Sequence, residues 1–435
     1  GSKDKVETKE EYVLNFKVNK TVDFGAENVT IDKDGGKTIA KGSALKAIEN
    51  KSISGYDIRT NGTVTVENGT LGAISADGDV TVSGGKTGEI NANETGDVTV
   101  GDAIVGNIVD AKNVTLNLGA SVGTVSAVTD EKQNDGNVTV NDATVASIDA
   151  EGNVTIDGAA VKGNVLSDGE IKISGAGEDD NGDLLDVTIG GSVIASGANA
   201  KVTIDNDSDE GVTTIKIDGD VIARYAALQD DDASVVIGSP DTTGAINIAG
   251  AAQGEYVQLG GNGLVTLGGG RATDGVDAGD SEGLVADSTL DFNGFNSGIN
   301  SVTGFTTVKV TDGTAKVSKA LTTTTLDLSS DTQLVVSGLT TEDVLNDGTI
   351  VAPVGQVTVN GDVDASAQLR LTGEVTKDVI AFKGGKGLDD AFDLGGLTVQ
   401  ANRQADGSYN YVVTAQELYG LTASGKNVTL GEGQK

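Results

Sequence analysis

Residues 64–100 read VTVENGTLGAISADGDVTVSGGKTGEINANETGDVTV, and the same tripeptide stands at Val64-Thr65-Val66, Val80-Thr81-Val82 and Val98-Thr99-Val100. It returns at Val114-Thr115-Leu116, Val138-Thr139-Val140, Val154-Thr155-Ile156, Val187-Thr188-Ile189 and Val202-Thr203-Ile204, with Ile171-Lys172-Ile173 as a variant. By subtraction, successive first residues lie 16, 18, 16, 24, 16, 17, 16 and 15 apart. A period of this length marks stacked supersecondary units, each too small to bury a face alone.

A second apolar pulse follows about ten residues after each first one, as in Leu71 and Ile74, Val105 and Ile108, Val122 and Val125, Val145 and Ile148, or Val161 and Val165. Gly, Asn and Asp fill the space between, and these residues turn a chain by tolerating positive φ or by bonding their own backbone. Each unit therefore reads as strand, turn, strand, turn, and the expected fold class is all-β: a β-solenoid of coils of about 16–18 residues. With Val and Ile inward, Thr65, Thr81, Thr99, Thr115, Thr139, Thr155, Thr188 and Thr203 are expected to form one outward ladder.

Composition agrees with many tight turns around small aliphatic side chains: 63 glycines, 2 prolines and 3% aromatics in 435 residues. The formal net charge of −35 repels phosphate backbones and anionic lipids, which argues against nucleic-acid binding, and no apolar run is long enough for a membrane span. The same charge favours divalent cations. Histidine and cysteine are both absent, which removes Ser-His-Asp and Cys-His chemistry and histidine-based zinc sites. Only carboxylate chemistry, as in a polysaccharide-active β-helix, stays open to an enzyme, and the expectation is that the chain is not one. The Gly1-Ser2 start without an initiator Met suggests a processed or tagged beginning.

Three regions follow from the pattern. Residues 1–55 form an entry and capping region in which Tyr12, Leu14, Phe16 and Val18 alternate with polar neighbours, a strand suited to capping the first coil or to crossing to a neighbouring subunit. The repeat array runs over 56–287, with an insertion at Thr129–Gly136, a helical turn expected near Arg224–Asp232 and turns over Gly260–Gly270. Residues 288–435 are a β-rich continuation or cap, ending in a hairpin of 397–401 and 409–414 joined through Asp406-Gly407.

For metal binding, Asp205, Asp207 and Asp209 alternate before Gly211, the first half of an oxygen-ligand calcium loop, although Lys216 occupies the position of the closing Glu. Asp179, Asn181 and Asp183 form a second oxygen-rich cluster, so Ca2+ is the one cofactor expected. Asn-x-Thr/Ser triplets at Asn28, Asn61, Asn68, Asn93, Asn113, Asn137, Asn153 and Asn427 are expected to record turn-then-strand chemistry. The single outward Thr per strand argues against an ice-ordering surface, since threonine is also simply a good strand residue.

Gly152–Gly175 (GNVTIDGAAVKGNVLSDGEIKISG) and Ile215–Ala223 (IKIDGDVIA) resemble the passenger β-solenoids of bacterial autotransporters and adhesins, and also the bactofilins, which are polymer-forming β-helical proteins. Gly260–Leu267 further resembles the glycine-rich nonapeptide of calcium-binding β-rolls, with Val265 in place of the ligand Asp. What the resemblance to the two families implies is a β-helical fold and self-association. The expected function is an extracellular structural protein that assembles with itself, head to tail, into a filament or surface layer of a bacterial cell. The alternative is an adhesin rod binding cell-surface or matrix components.

Overall fold

The computed structural model of the chain describes residues 21–26, 28–31, 38–40, 55–128, 136–175, 186–197, 200–207, 213–224, 233–272, 284–353, 356–361, 364, 367–372, 380–384, 398–403, 409–414 and 427–429. Among these the secondary structure is all strand, and no helix is long and apolar enough to cross a membrane. The chain is a β-solenoid built of long parallel sheets, with a three-stranded antiparallel sheet of Ile380–Gly384, Tyr409–Thr414 and Thr398–Arg403 near its C-terminal end.

The tripeptides stack in one 16-stranded sheet, here called face one. Its pairing is in register, so that Val64 lies beside Val80, Val80 beside Val98, Val98 beside Val114, and so on to Val154 beside Ile171 and Ile171 beside Val202. The column already includes Val29-Thr30-Ile31, paired with Val64-Thr65-Val66, and it runs on through Leu290, Val308 and Leu326 to Val344. Each strand holds its neighbours about 4.8 Å above and below.

Through the repeat array the other strands form two further faces where two strands per coil were expected to suffice. In one coil Val98–Val100 lies on face one, Ala103–Val105 on face two and Ile108–Ala111 on face three. The expected second pulse is thus split by a corner, with Val105 and Ile108 on different faces. Glycine makes that corner possible: a Cβ on Gly106 would stand 2.8 Å from the carbonyl carbon of Gly88 one coil below. Val98, Val100, Ala103, Val105, Ile108 and Ala111 all point inward and are at most 3% exposed. Burial stabilises each such Val or Ile by about 1.5–3 kcal/mol, and stacking is what buries it.

Val187-Thr188-Ile189 departs from the expected ladder. Its strand belongs to face two, where Thr188 pairs with Ala160 and Lys216, and the column of face one passes from Ile171 directly to Val202. An alternating Val-Thr-Ile strand suits any face of such a coil, so the tripeptide marks a strand and not a particular side. Gly260–Gly270 corrects a second expectation. Gly261 and Gly263 do turn, with φ of +87° and +91°, but Val265–Ala272 is an eight-residue strand. Its glycines allow close approach, since a Cβ on Gly269 would meet the Ser301 carbonyl oxygen at 2.8 Å.

Past residue 288 the chain is β-rich as expected, with strands of eight and nine residues in Phe305–Asp312 and Gln333–Thr341. Thr398–Arg403 and Tyr409–Thr414 pair antiparallel, as the hairpin reading required. Residues 225–232, where a helical turn was expected, lie outside the described residues.

Candidate functional surfaces

The residue before several face-one tripeptides accepts a hydrogen bond from the backbone of the next coil. The Asn137 N–H donates to Asn113 Oδ1 at 3.1 Å, the Asn153 N–H to Asn137 Oδ1 at 2.9 Å and the Glu170 N–H to Asn153 Oδ1 at 2.8 Å. Further down, the Asp97 N–H donates to Asp79 Oδ1 at 3.0 Å. These side chains form a corner ladder that satisfies backbone donors where the chain turns out of one face into the next. The Asn-x-Thr triplets at Asn113, Asn137 and Asn153 record that ladder.

Beside it, Thr65, Thr81, Thr99, Thr115, Thr139 and Thr155 stack on the outer side of face one in consecutive coils. The ladder then changes chemistry: Lys172 follows Thr155, held by Glu170 at 2.9 Å, and Thr203 follows Lys172. Further along the same side, Gln258, Asp291, Lys309 and Asp327 occupy successive rungs. Asp291 is only 8% exposed and accepts a hydrogen bond from Thr311 Oγ1 at 2.5 Å. Burial, and secondarily the Asp291 charge, push the Tyr256 phenol above its usual range.

Of the six residues expected to bind calcium, the structure describes two. Asp205 ends the strand Lys201–Asp205, and its Oδ1 accepts from Thr242 Oγ1 at 2.6 Å and from the Asn206 N–H at 2.9 Å. Asp207 is exposed. Asp209, Asp179, Asn181 and Asp183 lie outside the described residues, as do Tyr12, Leu14, Phe16 and Val18 of the proposed assembly strand. Among the described residues no group of three or more acidic side chains is arranged to hold a metal ion.

No family model, curated protein or solved structure matches this chain. Function has to be argued from the surfaces themselves.

Between Asp205 and Asp207 the informative residue is Asn206. It is fully buried; its Nδ2 donates to the carbonyls of Thr213 at 2.9 Å and Ala245 at 3.1 Å, while its Oδ1 accepts from Thr213 Oγ1 at 2.7 Å. Its carbonyl takes the N–H groups of Thr243 and Gly244. Asn206 therefore ties three stretches of chain together at the corner after face one.

A second feature appears only once the coils are in register. Thr314, Gln333, Thr349 and Gln368 share one rung position, and with Asp331 and Asp347 they line an open groove of about 390 Å³. Ser330 Oγ donates to Asp347 Oδ1 at 2.7 Å. The lining is almost all hydroxyl, amide and carboxylate, which suits a polyhydroxylated or hydrated ligand and not an apolar one.

The ends of the column complete the inventory. Among the described residues face one begins at Thr38–Ala40, antiparallel to Val29–Ile31, and ends at Asp343–Leu345, where Leu345 is 43% exposed. Thr21–Asp23 pairs with Asp57–Arg59 of its own first coil, and Phe24 is buried in its own core. The part of the entry segment from Thr21 onward is thus committed to its own chain.

Proposed function

We propose that this chain is a structural subunit that assembles with itself, head to tail, into a filament or layer on the outside of a bacterial cell. The observation that carries this reading is the outer strand at the start of face one, Thr38–Ala40, with a strand partner on one side only among the described residues; at the far end of that face the Val344 carbonyl already accepts the Asp364 N–H of the same chain. An unpaired strand edge is a template for another strand, and a contact between unlike ends propagates unless a rotation closes it. Tyr12, Leu14, Phe16 and Val18 supply an alternating segment just ahead of the first coil that could reach the end of a neighbour. Calcium assists by screening a chain of net charge −35, so that rods approach one another.

Negative-stain microscopy of the full chain in calcium tests this. Filaments are expected, and deletion of residues 1–19, which spares Thr21–Asp23 and Phe24, is expected to leave folded monomers. Full-length protein that stays monomeric at high concentration overturns the reading; filaments from the deleted chain overturn the role of the leading segment. The groove of Thr314, Gln333, Thr349, Gln368, Asp331 and Asp347 favours a second reading, a rod that binds polyhydroxylated cell-surface or matrix components.

A further inference from the structure

Asparagine followed by glycine occurs six times in this chain, at Asn61, Asn68, Asn181, Asn262, Asn293 and Asn360, and all but Asn181-Gly182 lie among the described residues. The pair has a chemistry of its own: the glycine nitrogen can attack the preceding side-chain carbonyl carbon, because no Cβ on the glycine hinders the approach. In a folded chain the outcome depends on where the glycine N–H is held.

In four of the five described pairs that N–H is bound away from its own asparagine. Gly62 donates to Thr60 Oγ1 at 3.0 Å, Gly263 to the Phe295 carbonyl at 2.8 Å, Gly294 to the Asp312 carbonyl at 3.0 Å and Gly361 to the Glu342 carbonyl at 2.6 Å. Gly69 differs. Its N–H turns back onto the preceding side chain and donates to Asn68 Oδ1 at 2.7 Å. Cγ is bonded to that oxygen at about 1.23 Å, so the nitrogen and Cγ are at most about 3.9 Å apart, close to the separation at which oriented groups react as if joined.

The surrounding corner leaves the nitrogen open. Asn68 is exposed, and Gly69 carries the chain from Val64–Val66 on face one to Thr70, which bridges to Lys86 on face two. Gly85 of the next coil stacks on this corner with a φ of +83°, and a Cβ there would stand 2.5 Å from the Gly69 nitrogen. Its absence keeps the attacking atom uncovered, while the Lys86 N–H, donating to the Gly69 carbonyl at 2.7 Å, anchors the residue in place.

We infer that Asn68 is a site of self-modification, in which the fold presents one Asn-Gly pair for ring closure and withholds the others. A base takes the Gly69 amide proton, the nitrogen bonds to Cγ, and Nδ2 leaves as ammonia, closing a five-membered imide. Water then opens the ring at either carbonyl carbon and gives aspartate or isoaspartate; one water is consumed, one ammonia is released and nothing is oxidised or reduced. The isoaspartyl product routes the main chain through Cβ, one more backbone atom in a corner whose bond to Lys86 sets the register of the next coil. This site goes beyond the assembly reading and stands without it.

Full-length protein is held at mildly alkaline pH, folded and in parallel unfolded in guanidinium chloride, then digested with trypsin beside a zero-time sample. Cleavage after Arg59 and Lys86 leaves Asn61 and Asn68, both exposed, on one peptide, so electron-transfer fragmentation compares them in the same molecule. In the folded chain Asn68 is expected to convert at least as fast as in the unfolded one. Asn61, Asn262, Asn293 and Asn360 are expected to convert at least about tenfold more slowly folded than unfolded, since each must first open its glycine hydrogen bond. The Asn68 product is expected to be mainly isoaspartate, which direct hydrolysis of the amide does not give. Equal folded-state rates at Asn61 and Asn68 overturn the inference, because exposure and sequence would then set the rate. Protection of Asn68 on folding, or aspartate as its sole product, overturns it as well.

Discussion

The coils between Val64 and Ser174 and those between Ser234 and Leu345 continue one sheet, yet they fill their interiors by different means. In the first group face one is built of strands three to five residues long, and the core is Val, Ile, Leu and Ala. In the second, strands of eight or nine residues such as Val285–Asn293, Phe305–Asp312 and Thr314–Thr322 stand among short face-one strands such as Thr325–Leu328. Phe292, Phe295 and Phe305, all 0% exposed, lie in its core, with the rings of Phe292 and Phe295 centred 5.6 Å apart. Small residues fill a coil that matches its neighbours. Where aromatic rings enter the column, they and their neighbours together fill the interior at the density of a protein core.

The largest expected effects separate the two regions. Val154→Asp places an unpaired charge in the aliphatic column at a cost of several kcal/mol, and Phe305→Ala opens a cavity in the phenylalanine-containing one at a cost of about 3–5 kcal/mol. Because each coil contacts only its neighbours, the damage should stay local. Hydrogen exchange is expected to show lost protection in the tripeptide strands around Val154 for the first variant and around Leu290 and Val308 for the second. Val154→Asp that exchanges and melts like the parent chain would mean that Val154 does not face inward.

A smaller contrast concerns the asparagines. Asn206→Ala removes three buried hydrogen bonds to Thr213 and Ala245, and a loss of about 2–3 kcal/mol is expected at this junction of the two regions. Asn137→Ala removes one rung of the corner ladder in the aliphatic region and should cost about 1 kcal/mol. Chemical denaturation measures both. Equal losses would show that the ladder and the buried latch are energetically alike.

How much of this was legible in the sequence follows the same division. Where coils repeat, Val, Thr and Val at a constant interval reveal inward and outward sides, and the outer position of Thr65 through Thr155 could be read directly. The third face was hidden because Val105 and Ile108, three residues apart, look like one apolar pulse when the corner between them is Gly106 and Asn107. Thr188 was misplaced because a connection after Ile173 lengthened its coil, and the next strand to appear had the same alternation as the face-one strands. The polar groove could have been found from sequence by carrying the period beyond residue 288, where Thr314, Gln333, Thr349 and Gln368 recur; only the register shows that they align. Asn206 gives no such signal, since a buried amide and a turn amide look alike until their partners are placed.

The central claim is that the stacking axis of the coils is also the axis of assembly. Fibre diffraction from oriented filaments of the full chain tests it most directly. The account predicts a reflection near 4.8 Å along the filament axis, from strands stacked coil upon coil through successive subunits. The same reflection perpendicular to the axis would contradict it, because the rods would then lie across the filament.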